Sequence, residues 1–210
     1  MATITSAGVL TPKKAGAVKV GATYNGAPWV WYRTVTIKSW GCKPYNEISS
    51  SSNTNYSAMN CHGYALWSTK NLHCDSWFSM SNTQLKQTQT SNEFLEIFQP
   101  QFEKWLNDNI GSNKWENVTN NGGINATLSD NQWLVVMRVG FHPEFAGTDY
   151  WFDYHFWYRT DTGEWVNKHG YYSYSQRLGT DLPTDNTSIG WNCNIAQYYN
   201  SNLVYYRITE

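Results

Sequence analysis

Strand-forming segments crowd the two ends of this 210-residue chain and helix-forming segments its middle, which predicts an α+β domain with helices packed on an antiparallel sheet or half-barrel. Three observations carry the prediction. Two turn signatures, Asn25-Gly26 and Asp161-Thr162-Gly163, are each flanked by aromatic and β-branched residues, the chemistry of hairpins. A capping box, Thr90-Ser91-Asn92-Glu93, opens a run in which Phe94, Leu95, Ile97 and Phe98 fall on one helix face. The run from Trp133 to Val139 is apolar enough for a central strand.

The elements follow in order. Ala17 to Tyr24 and Trp29 to Lys38 read as the first hairpin, so residues 1–45 are expected to form an N-terminal β segment packed on the core of residues 46–210, the whole making one compact unit. Ser49 to Asn55 is a polar loop, either a connector or one wall of a cleft, leading into a short helix from Cys61. The helix after Thr90 should kink or split at Pro100, whose ring removes a donor and crowds the preceding turn. Phe102, Trp105 and Leu106 carry its apolar face on to a glycine stop at Gly111. Asn120 to Gly123 is a turn. The second hairpin spans residues 150–170, Tyr171 to Tyr174 can extend it, and Leu203 to Ile208 closes the sheet. No internal repeat interrupts this order.

Composition narrows the function classes. With 15 basic and 16 acidic residues the net charge is -1, so nothing draws the chain to nucleic acid or an anionic membrane. Charged residues make up 15% and aromatics 17%, with Asn, Ser and Thr as the solubilising residues, a balance associated with secreted proteins. The 12 Trp and 15 Tyr either fill an aromatic β core or present flat faces to sugars and extended peptides. No apolar stretch reaches the length of a membrane span, and the first ten residues lack the basic and apolar regions of a signal peptide. A secreted or extracellular site of action is the expectation.

The chemistry concentrates in two places. In Met59-Asn60-Cys61-His62-Gly63-Tyr64-Ala65-Leu66, Asn60 is a favoured N-cap type, which puts Cys61 at the first helical position, where free amides and the helix dipole favour a thiolate. His155 lies on the first strand of the second hairpin and Asn167 on its return strand. Folding about residues 161–163 brings positions 167–169 alongside His155, so that Asn167, or else His169, can fix the imidazole tautomer; Asp153, two residues from His155, is a further candidate for that role. An oxyanion hole would join the Cys61 amide to a donor from Tyr56, Asn55 or Asn60, with Tyr56 first. His62 is read as a packing or surface residue.

The four cysteines allow three disulfide connectivities, and a nucleophilic Cys61 must stay free, leaving a bridge such as Cys42 to Cys193 conceivable with Cys74 unpaired. Cys61-His62 and His73-Cys74 match no common zinc spacing, and the stretch between them reads as helical, holding the pairs apart. No metal or cofactor is expected.

The Asn60-Cys61-His62-Gly63-Tyr64-Ala65 run, followed by a His-bearing strand, a glycine turn and a polar residue on the return strand, resembles the papain-like cysteine hydrolases, specifically their NlpC/P60-type branch. The likeness covers residues 56–170. It implies a papain-like α+β fold and amide cleavage or acyl transfer through a thioester, with Cys61 as nucleophile, His155 as base and Asn167 as orienter. The branch more often carries histidine at the third position; asparagine is the papain-type residue. The expected function is cleavage of an amide bond in a peptide, protein or peptidoglycan. Two alternatives stand beside it: a non-catalytic, aromatic-rich carbohydrate- or receptor-binding module, and a protein deamidase or transglutaminase-type toxin effector.

Overall fold

A computed structural model describes residues 2–12, 16–22, 30–37, 40–48, 59–68, 72–143, 152–168, 175–180 and 199–210. The described residues are a mixed α+β structure with an antiparallel sheet, as the segment order predicts. Near the N-terminus β1 (Ala2–Ile4) pairs with β2 (Leu10–Pro12), and β3 (Gly16–Ala22) with β4 (Trp31–Ile37), the latter in the register Val18↔Val35. The Asn25-Gly26 turn lies outside the described residues.

The main sheet has six strands: β5 (Trp115–Asn117), β6 (Gln132–Phe141), β7 (Phe152–Arg159), β8 (Trp165–Lys168), β9 (Ser175–Gly179) and β10 (Val204–Thr209). Their spatial order is β5-β10-β6-β7-β8-β9, and every pairing is antiparallel. Successive side chains of a strand point to opposite faces, and here both faces are covered. One face carries Trp133, Val135, Met137 and Val139 of β6 with Tyr154, Phe156 and Tyr158 of β7 and Val166 of β8. The other carries Leu134, Val136, Trp157 and Trp165, joined by Val118, Leu128 and Tyr199. Burial on two sides explains why β6 reads as a continuous apolar run.

Among the described residues there are three α-helices: α1 (Cys61–Ala65), α2 (Asn82–Gln87) and α3 (Ser91–Asn109). The Thr90 capping box forms as read, the Thr90 hydroxyl accepting from the Glu93 amide at 3.2 Å. Phe94, Phe98, Phe102 and Leu106, four residues apart, make one fully buried stripe on α3. Its rings interleave with those of the sheet: Phe94 with Phe141 at 5.5 Å, Phe98 with Tyr154 at 5.3 Å, Phe102 with Phe156 at 5.1 Å. Among the described residues the aromatic side chains go largely into this layer, although Trp31 and Tyr32 of β4 stay 68% and 65% exposed.

Of the kink or split expected at Pro100, the split does not occur: α3 runs through the proline as one helix. The buried stripe continues on both sides of the proline, and the Gln101 side-chain amide donates to the Ile97 carbonyl at 3.2 Å, adding a donor to the turn the ring loosens. Ile4, Val9, Val30, Trp31, Tyr32 and Val35 are exposed, and no described residue before Cys42 joins either buried cluster. The short valines of β3 and β4 alternate with Lys19 and Thr34 and offer little area to bury. Among the described residues the segment joins the main sheet from residue 40 onward. There Gly41 bridges Trp133, the Cys42 amide donates to the Gln132 carbonyl at 2.8 Å, and the Arg159 guanidinium stacks 3.8 Å from the Trp40 ring. No described helix is long and apolar enough to cross a membrane.

Candidate functional site

Asn60 starts α1 as its residue type predicts. Its side-chain oxygen accepts from the Gly63 amide at 3.0 Å and from the Leu72 amide at 3.2 Å, while its NH2 group donates to the Leu72 carbonyl at 3.1 Å. The same carbonyl takes the His62 Nδ1–H at 2.9 Å and the Tyr154 hydroxyl at 3.4 Å. Three side chains thus pin the helix start to one backbone oxygen. The helix ends after five residues because Trp67 turns left-handed at φ 55°, a conformation costing roughly 1–2 kcal/mol, with its indole lodged between Tyr158 and the Lys43 ammonium.

Cys61 occupies the first helical position, 5% exposed, with a free thiol. Its surroundings follow from a break in the sheet. The ladder between β7 and β8 pairs Arg159 with Trp165 and Tyr158 with Val166, and is not continued toward residues 156 and 168. In that break Cys61 Sγ–H donates to the Tyr154 carbonyl at 3.7 Å, and the Phe156 and His62 backbone amides favour negative charge on the sulfur. Burial raises the thiol pKa and the Asp153 charge adds to it; the two amides and Lys168 oppose them, and the balance is pushed up to about 12. The expected thiolate is therefore corrected: desolvation outweighs the helix terminus, and the group is a thiol near neutral pH.

His155 and Asn167 do reach one another's face. Strand alternation sends His155 to the side of Trp157, whose ring centroid is 4.5 Å away, and of Tyr199 at 5.3 Å. Asn167 alternates with Val166 and so shares the side of Trp165. It is 0% exposed, and neither atom of its amide has a hydrogen-bond partner among the described residues. Asp153 belongs to this group: its carboxylate accepts from the Tyr199 hydroxyl at 2.6 Å and the Tyr154 amide at 2.7 Å, and burial, opposed by these two bonds, raises its pKa to about 6.

The structure does not bring Cys61 onto that face. Helix α1 buries Tyr64 and Ala65 against the side of β7 that carries Tyr154 and Phe156, and the period of two leaves His155 pointing the other way. A pairing of Cys61 thiol and His155 imidazole, expected from spacing along the chain, is not made in this arrangement. His62 is buried rather than exposed, stacked 4.9 Å from Phe156, and burial lowers its pKa to about 3, so it is neutral with its Nδ1 proton on Leu72. Tyr56, Asn55 and His169 lie outside the described residues.

Sequence reasoning missed Lys168. It alternates with Asn167 and therefore shares the Val166 face with Cys61, fully buried, and its charge acts on the sulfur. Counting in twos from Val166 would have found it. The cysteines also depart from expectation. Cys42, Cys61 and Cys74 are free thiols, so Cys42 is not bridged, and Cys193 lies outside the described residues. The stretch after Cys61 is not helical throughout: α1 stops at Ala65, and Cys74 opens a 3-10 turn (Cys74–Ser76) close enough that both sulfurs act on Tyr154. Among the described residues no three His, Cys, Asp or Glu side chains group as metal ligands.

Compared with known proteins, the chain matches no family model, no curated protein and no solved structure.

Proposed function

We propose that the chain is a cysteine hydrolase, papain-like and of the NlpC/P60 type, that cleaves an amide bond of a peptide or cell-wall peptide outside the cell through a thioester on Cys61. One observation supports it above the rest: the Cys61 sulfur sits at the first position of α1, in the break between β7 and β8, where the Phe156 and His62 backbone amides favour charge on it. Donors so placed hold charge that develops on the sulfur as its proton leaves, and they need not reorganise to do it. In the first step the S–C bond forms as the thiol proton departs to a base and the carbonyl π pair moves to oxygen. Collapse breaks the C–N bond and expels a protonated amine; water then attacks the thioester, releasing a carboxylic acid and restoring the thiol. His155 and Asn167, on the far face of the same strands, would act on this centre only through the backbone they support.

A second reading, a carbohydrate- or receptor-binding module, draws on the exposed Trp31 and Tyr32. The test is a digest of purified muropeptides and of an unfolded protein substrate, run beside an ammonia-release assay. Amide cleavage that disappears in Cys61→Ala supports the hydrolase. Ammonia without chain cleavage would identify the deamidase alternative, and binding without turnover the module.

A further inference from the structure

We propose that the two N-terminal β ribbons, β1–β2 and β3–β4, dock on an anionic lipid surface, a role independent of the Cys61 reading. Charge is the first observation. The net charge of -1 conceals a segregation: residues 1–38 hold Lys13, Lys14, Lys19, Arg33 and Lys38 and no acidic side chain, whereas all 16 Asp and Glu residues lie from Glu47 onward. The ribbon segment is purely cationic and the rest of the chain is net negative. Lys19 on β3 and Arg33 on β4 stand exposed. A cationic patch responds to a charged bilayer whatever the protein's total charge, because the field of each group reaches only about 8–10 Å at ordinary ionic strength.

Exposure is the second. Among the described residues the large hydrophobic side chains left exposed are Ile4, Val9, Val30, Trp31, Tyr32 and Val35, and every one lies in this same cationic segment. None joins either buried cluster of the main sheet. Register sorts β3–β4 by face. Residues paired across an antiparallel ladder share a side, so Val18 with Val35, Val20 with Arg33 and Ala22 with Trp31 make one face, and Lys19 with Thr34 and Gly21 with Tyr32 the other. The first is valine, alanine and indole around one guanidinium. The second is polar, with the Tyr32 ring lying against Gly21, 3.0 Å from where a side chain would begin. A ribbon apolar on one side and basic at its margins suits a bilayer interface: valines and indole enter the acyl boundary while Lys19 and Arg33 extend to the headgroup phosphates. The aliphatic residues decide the occupant. Nucleic acid would use the charges and the two rings, yet leaves Ile4, Val9, Val30 and Val35 against phosphate. A second copy's ribbons would set like charge against like, and the described part of its acidic body exposes no large hydrophobic side chain to meet the valines. An anionic lipid surface supplies both chemistries.

The experiment is co-sedimentation of the full-length protein with vesicles of phosphatidylcholine alone and of equimolar phosphatidylcholine and phosphatidylglycerol. Wild type should sediment with the anionic vesicles and not the neutral ones, and rising salt should release it. Lys19→Gln and Arg33→Gln should each weaken binding roughly fivefold. Trp31→Ser should weaken it by roughly tenfold or more, as burial of a large apolar side chain implies. Lys104→Gln, on an exposed stretch of α3, should change nothing. Equal sedimentation with both vesicles, or none with either, would overturn the proposal, as would a loss in Lys104→Gln equal to that in Arg33→Gln. Binding of a single-stranded oligonucleotide without vesicle binding would overturn it in favour of nucleic acid. A dimer in light scattering that Trp31→Ser abolishes, again without vesicle binding, would overturn it in favour of a second copy. Should a variant fail to fold, wild type decides with anionic vesicles brominated on their acyl chains: quenching of tryptophan fluorescence is expected, and its absence contradicts the proposal.

Discussion

Replacing Asn60 with alanine removes the join between α1 and the segment at Leu72, and the loss can be worked bond by bond. The Asn60 oxygen holds two amides, Gly63 at 3.0 Å and Leu72 at 3.2 Å, and its NH2 group supplies one of three donors to the Leu72 carbonyl. Loss of the cap costs about 1 kcal/mol. Stranding the part-buried Leu72 amide costs about 1–2 kcal/mol more, whereas the Leu72 carbonyl keeps His62 and Tyr154 and loses little. The total is about 2–3 kcal/mol, which for a chain of this size lowers Tm by roughly 5–10 °C. Asn60→Asp keeps both amides but sets a carboxylate oxygen against the Leu72 carbonyl, so it should fall between wild type and alanine. Urea unfolding followed by circular dichroism gives the numbers. An alanine variant within about 0.5 kcal/mol of wild type, the scatter of ordinary surface changes, would refute this account of how the cysteine is held.

Other outcomes follow from the buried polar groups. His62 titrates near 3 in the fold against 6.5 unfolded, so the unfolded chain binds the extra proton first and stability drains as pH falls below 6.5. Asp153 runs the other way, its pKa raised from 3.8 to about 6, so acid relieves it and stability rises between pH 6 and 3.8. The two slopes offset in wild type; Asp153→Asn should unmask a loss of about 1.4 kcal/mol per pH unit from pH 6 to 4, and a flat profile in that variant would contradict the His62 assignment. Asn167→Leu should be neutral or stabilising in urea melts, because neither amide atom has a partner to lose among the described residues; a loss above about 2 kcal/mol would show that the amide is satisfied in solution. Leu106→Ala, at the end of the buried α3 stripe, should cost about 2–5 kcal/mol, and a cost under 1 would mean α3 packs differently.

Local chemistry was legible and face assignment was not. The Thr90 box, the Asp161-Thr162-Gly163 turn and the Asn60 cap each depend on residues within a few positions of one another, and all three formed as read. Gly163 takes φ 90° with the Trp40 ring 3.3 Å from where a side chain would begin, so that turn tolerates no bulk. The face carrying His155 depends on the register of a whole sheet, which one residue of slip inverts. Cys61 misled for a related reason: a helix terminus is visible in sequence, whereas the aromatic layer that desolvates it is assembled from α3, β6 and β7. Lys168 was overlooked because lysine in a strand ordinarily marks solvent. Pro100 does not split the helix, since the stripe from Phe94 to Leu106 holds it through the proline.

Acid quenching during turnover of muropeptides, followed by peptide mapping, tests the Cys61 thioester most directly. An acyl group on the peptide containing Cys61, removed by hydroxylamine and missing from Cys61→Ser, is the predicted result. Turnover that continues unchanged in Cys61→Ser, with no adduct on that peptide, would contradict it.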